Sequence, residues 1–305
     1  MRTKKAKEWL AYGVICVVWG STYLAIKVGL ESFAPVSFAA VRYWLAAPLV
    51  ALFARRAGVR FSFSVRRLWP AWGVGVLFIG LCNGMVFWAE TRLESSYTAL
   101  LITASPVWTA LLAFLVGAWL PGEGRLGLRG WAGIALGLLG SYVLLRPQVQ
   151  RAGGLVAALV VELSVVVWAA GSLWVRHLRE RYHPLEMATW QMVSGASFLT
   201  LLAGVRGEHL LHGPLRPASL ASLAYLVVFG SCLAFSAYFY LLRAWPAARV
   251  ATSAYLNPVV AVFLGWVVLA EWPGSHGIWG GALVLLGVSL VLGETTRREG
   301  ASDTA

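Results

Sequence analysis

The chain is a succession of long apolar runs, and their length fixes the solvent it folds in. Candidate spans cover 9–28, 35–54, 69–89, 97–117, 127–145, 154–175, 184–204, 219–242, 250–270 and 277–293. A helix needs about 20 mostly apolar residues to cross a hydrocarbon core roughly 30 Å thick. Inside lipid no water meets a bare peptide group, so only helices and closed barrels cross. Barrel strands alternate apolar and polar residues over about ten positions, whereas these runs are continuous. The sequence therefore predicts an all-α integral membrane protein with ten transmembrane helices. Composition agrees where it matters: 12% of residues are charged, against about 25% in a soluble domain. A cytosolic enzyme, a secreted domain and a disordered hub are excluded.

The net charge of +12 reads as topology. Cationic loops are retained in the cytoplasm. With the N-terminus inside, 18 of the 25 Lys and Arg fall on the cytoplasmic side, six fall outside, and Arg42 lies within a span. Both termini are thus expected to be cytoplasmic, and no nucleic-acid partner is needed to explain the charge. The basic head before an apolar run resembles a signal peptide. That run continues to Val28 with nine more behind it, so an uncleaved first helix is expected. Cys16, Cys82 and Cys232 all lie within spans and form no disulfide framework or metal pair.

The chain also contains itself twice. A shift of 149 residues lays WGSTYLAIK (19–27) on WAAGSLWVR (168–176) and Pro35 on Pro184. A shift of 150 pairs Gly80 with Gly230 and Cys82 with Cys232, and a shift of 152 pairs Pro106 with Pro258. At 148, WAGIALGLLGS (131–141) matches WGGALVLLGVS (279–289). The expected organisation is a first repeat at 1–147 with spans 1–5, a second at 148–293 with spans 6–10, and a disordered cytoplasmic tail at 294–305. Five crossings are an odd number, so the second copy enters from the opposite side, giving a 5+5 inverted-topology repeat. Two such halves can exchange conformations and expose a shared site to each compartment in turn.

Several long segments carry a family resemblance. WGSTYLAIKVGLESFAPVSFAAVRYW (19–44), ALLITASPVWTALLAFLVG (99–117), VATSAYLNPVVAVFLGWVVLAEW (250–272) and WGGALVLLGVSLVL (279–292) resemble the EamA branch of the drug/metabolite transporter superfamily. The resemblance implies ten helices, a central cavity lined by spans 1, 3, 4, 6, 8 and 9, and export of small metabolites, often amino acids. Members commonly carry Gly-Glu at the ends of spans 4 and 9. Here Glu271 fits the second position, but Trp119 occupies the first and the nearby acid is Glu123.

The candidate site residues follow from cost and from helical spacing. A charge at mid-membrane costs roughly 2.5–3.5 kcal/mol on insertion scales, so it faces protein or water. Glu162 is the most central acid, either a proton or ammonium site or the structural partner of Arg42. Arg42 reads first as a structural anchor and second as a contact for an anion. Glu90 and Lys27, near span ends, are expected to snorkel to the headgroups. Pro106 and Pro258 each remove a ladder hydrogen bond, freeing the carbonyls of Ile102 and Ala254, and are gating-kink candidates. Thr98, Ser105 and Thr109 share a face of span 4, and Ser253 and Asn257 a face of span 9. Tyr12, Cys16, Trp19 and Tyr23 form a face of span 1, with Trp168 the repeat partner of Trp19. Asn83, Phe87 and Glu90 align on span 3, and Ser231, Phe235 and Tyr238 on span 8. Such aromatic faces also serve as ordinary core.

No enzyme or cofactor motif appears: the five histidines lie in loops or at span ends, and no nucleophile elbow, P-loop or haem motif occurs. The expectation is a secondary carrier of the bacterial inner membrane exporting amino acids or similar metabolites. Its partners are a small-molecule substrate, the lipid bilayer, and protons or a counter-substrate for coupling. No cofactor, metal or oligomeric state is assigned. Rivals are an exporter of lipophilic cations or drugs, and a non-transporting membrane enzyme or assembly subunit.

Overall fold

The computed structural model describes residues 2–116, 127–145, 153–270, 272 and 274–302. Trp119, Glu123 and Glu271 lie outside them. The described chain is helical, without a strand. Its segments are α1 (Arg2–Gly29), α2 (Pro35–Arg56), α3 (Val65–Ala89), α4 (Ser95–Leu115) and α5 (Leu128–Leu145). The second half supplies α6 (Gly154–Leu178), α7 (Pro184–Val205), α8 (Pro217–Ala244), α9 (247–269) and α10 (Gly274–Ser302). Seven of these, α1 to α4 and α6 to α8, are long and apolar enough to cross a membrane; α5 and α9 hold shorter apolar stretches, Leu128–Gly140 and Val259–Leu269. Pro35, Pro184 and Pro217 open α2, α7 and α8. A proline there sacrifices no helical hydrogen bond and sets φ in advance. Leu49, Leu52, Phe53, Leu163, Phe263 and Trp266 are exposed, as a lipid-facing surface requires.

Two features repeat between the halves. α3 and α8 each contain a π-helical stretch, Val76–Asn83 and Leu226–Leu233, 150 residues apart. α4 breaks at Thr103–Ala104 before Pro106, and α9 passes through a 3₁₀ turn at Thr252–Tyr255 before Pro258. The packing exchanges as well. α1 lies on α8 and α9 while α6 lies on α3 and α4; α2 packs on α7, and α5 on α10. Glycines set the closest approaches. A Cβ at Gly287 would meet the Gly133 carbonyl oxygen at 2.5 Å, and one at Gly140 the Gly280 oxygen at 2.8 Å, so α5 and α10 touch backbone to backbone.

Loop contacts match at opposite ends of α2. At its start, Ala34 donates to the Leu210 carbonyl (3.0 Å), His212 N–H to the Ser32 carbonyl (3.1 Å), and Ser37 N–H to Glu208 Oε1 (2.8 Å). Beyond its end, Arg67 reaches the Arg181 carbonyl (2.6 Å) and Glu186 (3.3 Å), and the Tyr182 hydroxyl donates to the Arg67 carbonyl. The α1–α2 and α7–α8 loops thus meet on one side, the α2–α3 and α6–α7 loops on the other. His183 caps α7, its Nδ1 accepting from Leu185 N–H at 3.3 Å. Partial burial, and secondarily the Arg243 charge, hold its pKa below the ordinary imidazole value.

Two expectations are corrected. Glu90 does not snorkel: it is fully buried. Lys27 turns inward too, its Nζ donating to the Glu90 and Leu93 carbonyls at 2.8 and 2.7 Å. The ending of α3 leaves carbonyls without helical donors, and an ammonium satisfies them. At the C-terminus, α10 runs on to Ser302, where the sequence suggested a disordered tail from 294. A helix already nucleated adds each residue cheaply.

Candidate functional site

The breaks and wide turns surround one central cavity. It offers about 100 Å³ of space open to the centres of water molecules, enough for several waters at roughly 10–15 Å³ each. Both repeats line it, through α1 to α4 in the first and α6, α8 and α9 in the second. One wall is aromatic. Trp19 and Trp168 meet edge to face at 5.4 Å, and Tyr238 lies 5.0 and 5.2 Å from them. Phe235 stands 5.4 Å from Trp19. Hydrogen bonds fix the polar tips: Trp19 Nε1 donates to the Gly230 carbonyl (3.3 Å), and Tyr238 pairs with Ser172 Oγ (2.7 Å). The other wall holds Asn83, whose Oδ1 accepts from the Tyr43 hydroxyl (2.8 Å) and whose Nδ2 donates to the Phe78 carbonyl (2.6 Å). That carbonyl lies in the π-helical stretch of α3, where the ordinary ladder is disturbed. Asn257, with its amide nitrogen facing Cys16 O at 2.8 Å and Ser253 O at 3.1 Å, ties α9 to α1.

Eight sequence candidates line this space: Trp19, Tyr23, Asn83, Ser105, Trp168, Tyr238, Ser253 and Asn257. Arg42 joins them. Four candidates lie elsewhere. Phe87 turns toward α2, 5.3 Å from Phe38, while Val86 takes the cavity side. Thr98 donates to the Glu94 carbonyl (3.1 Å); the break at Thr103–Ala104 interrupts the helical phase that aligned it with Ser105. Ser231 sits behind the wall, where Arg42 Nε donates to its Oγ at 2.8 Å. Glu162 pairs with Trp108 rather than with Arg42, its Oε2 accepting from Nε1 at 3.1 Å. Around α6 it points about 60° from Val165 and about 120° from Trp168, both of which line the cavity. Pro106 is buried at the start of the second half of α4, and Pro258 is the third residue of the helix Leu256–Leu269. Ile102, whose carbonyl Pro106 was expected to free, itself lines the cavity.

Sequence reasoning missed Thr22 and Ser164, which also line the cavity. Each sits one helical turn from a tryptophan it does name, Trp19 and Trp168, so spacing from the tryptophans was the available signal. Cys82 reaches the wall too. The repeat counterpart of Arg42 is Gln191, seven residues after Pro184 as Arg42 is after Pro35. It is neutral and fully buried in α7.

A strand-free bundle of apolar helices, built from two like halves around a shared polar-and-aromatic cavity, defines a duplicated multi-span membrane protein. Residues 8–146 and again 155–293 match the EamA-like transporter family. The chain belongs to that family, within the drug/metabolite transporter superfamily. It is 32% identical over 250 residues to the inner membrane transporter YedA of Escherichia coli (strain K12), covering 82% of this chain and 78% of YedA. It is 29% identical over 305 residues to a protein of Streptantibioticus cattleyicolor named "Probable terminal-alkyne amino-acid exporter", covering 99% and 98%. A solved crystal structure superposes with a TM-score of 0.69 over 96% of this chain and 99% of that one. At 19% identity that likeness shows the fold alone.

Proposed function

We propose that the protein is a secondary carrier that exports small metabolites, amino acids foremost, across a bacterial inner membrane by alternating access. In this reading ten helices form two inverted five-helix repeats, with both termini in the cytoplasm. One observation carries it: the cavity is shared by two halves whose packing partners, wide turns and loop contacts exchange one for one. Such a scaffold has two equivalent ways to tilt, each opening one side. The relative named as an amino-acid exporter spans the whole chain and supports the substrate class. The absence of a nucleotide-binding motif from the sequence leaves exchange, facilitation or an ion gradient as the driving force.

Counterflow in proteoliposomes tests this directly. Vesicles loaded with unlabelled amino acid should accumulate labelled amino acid above protein-free vesicles. Accumulation of no solute, amino acid or amine, would favour the membrane enzyme or assembly subunit. A second reading, export of lipophilic cations, draws on the aromatic wall of Trp19, Trp168, Phe235 and Tyr238, since each ring face offers roughly 0.5–2 kcal/mol to a cation. Labelled tetraphenylphosphonium in the same assay separates the two. Cysteines placed at Lys5 and His209 should react with impermeant reagents from opposite faces, and reaction from one face would break the inverted arrangement.

A further inference from the structure

Arg42 is a buried cation with most of its bonding capacity unspent. It is 2% exposed and lines the cavity. A guanidinium carries five N–H donors. Among the described residues one is used, Nε–H to Ser231 Oγ at 2.8 Å. No carboxylate pairs with it there; Glu162, the acid nearest mid-membrane in sequence, accepts instead from Trp108. The guanidinium is packed closely nonetheless. Its carbon lies 4.8 Å from the Tyr43 ring centre and 5.8 Å from that of Phe87. Nη2 rests against Gly230, where an added Cβ would stand 2.9 Å away. Gly230 and Ser231 both belong to the π-helical stretch of α8, a feature that often marks functional sites. A merely structural arginine in this setting would have its charge neutralised, because leaving it uncompensated is costly. Here the protein fixes one edge of the fork and leaves the other edge without a partner.

We infer that Arg42 receives the carboxylate of the solute, making this a carboxylate-reading cavity. Two parallel N–H···O bonds match the spacing of a carboxylate, and Ser231, being uncharged, orients the fork without competing for the charge. The apolar remainder of the solute then lies along the ring wall of Trp19, Trp168 and Tyr238. The inference rests on the carrier reading and narrows it to monocarboxylates, amino acids among them. Solutes whose only charge is positive are disfavoured.

The test uses purified full-length protein in detergent and matched probes: L-leucine with L-leucinamide, L-phenylalanine with L-phenylalaninamide, and 3-phenylpropionate with 3-phenylpropionamide. Thermal unfolding, followed by tryptophan fluorescence, reports binding. At least one acid should raise the transition temperature, with its amide binding roughly 10- to 100-fold more weakly, as expected for loss of charge-assisted hydrogen bonds. Arg42→Lys keeps the charge but loses the fork and should weaken the acid about tenfold; Ser231→Ala should weaken it several-fold. Should Arg42→Lys fail to fold, the acid–amide comparison on the native protein decides alone. Amides binding as well as acids, no probe binding, full affinity in Arg42→Lys, or the same shift from sodium chloride would each overturn the inference. The carrier reading fails separately: acids that bind yet show no counterflow would sink it while leaving the Arg42 assignment intact. Counterflow of amides as fast as acids does the reverse.

Discussion

Three glycines on α10 give a graded test of how closely that helix seats on its neighbours. A Cβ at Gly287 would lie 2.5 Å from both the Gly133 oxygen and the Gly137 nitrogen. Those are backbone atoms of α5, so neither can rotate aside; the helices must part by several tenths of an ångström. Overpacking of this kind costs about 1–3 kcal/mol, set against up to about 1 kcal/mol gained from replacing a helical glycine. With that gain fully realised, Gly287→Ala should therefore lose about 0–2 kcal/mol. At Gly281 the Cβ meets only the tip of Leu100, Cδ2 at 2.9 Å, and a rotamer change relieves it; Gly281→Ala should lie within about 0.5 kcal/mol of the native protein. Gly293 has nothing within 4 Å, and Gly293→Ala should gain about 0.5–1 kcal/mol. Thermal unfolding in one detergent, with all three variants side by side, reads the order. Gly287→Ala matching Gly293→Ala in stability would refute the backbone-contact argument. Among the described residues none of α5 or α10 lines the cavity, so counterflow per folded molecule should be unchanged throughout.

Other variants probe the site and its surroundings. Trp168→Leu removes a ring from the aromatic wall and should weaken an aromatic solute about 3- to 10-fold, from the roughly 0.5–1.5 kcal/mol of such contacts; equal losses for phenylalanine and alanine in competition counterflow would exclude a ring contact. Glu162→Gln keeps an acceptor for Trp108 and lies off the cavity wall, so the pH profile of counterflow should persist; a flattened profile would make Glu162 the proton site. His183 must be neutral at Nδ1 to accept from Leu185, and its pKa is lowered on folding. Its contribution to stability is then complete above the unfolded value near 6.5 and fades as pH falls through the lower folded value. His183→Asn supplies a cap that does not titrate, so the difference between the two transition temperatures should change between pH 7 and pH 5; a constant difference would remove His183 from the cap.

The fold was legible wherever hydrophobicity alone decides it. Run length predicts ten spans, of which seven are long and apolar enough among the described residues to cross a membrane, and the paired prolines at 35 and 184 mark matching helix starts. Facing was harder, because it assumes an unbroken helical period. The π-helical stretches in α3 and α8 and the breaks in α4 and α9 each disturb that phase. Thr98 left the predicted face of α4, and Ser231 that of α8, for this reason. Trp19, Asn83 and Trp168 reach the cavity wall because each sits on an undisturbed stretch or at the edge of a wide turn. The partners of charged groups were not readable at all. Nothing in the sequence says that Trp108 rather than Arg42 meets Glu162, or that backbone carbonyls capture Lys27; both depend on how helices rotate against neighbours far away in the chain.

The duplicated scaffold is broken at one place that counts: where the first half carries the guanidinium of Arg42, the second carries the amide of Gln191. The two halves are therefore not electrically alike around the cavity. In the proposed carrier, with Arg42 holding the carboxylate, a guest with distinct ends keeps its anionic end toward the first half in either state and crosses without tumbling. In that proposal the end that enters first is also the end that leaves first.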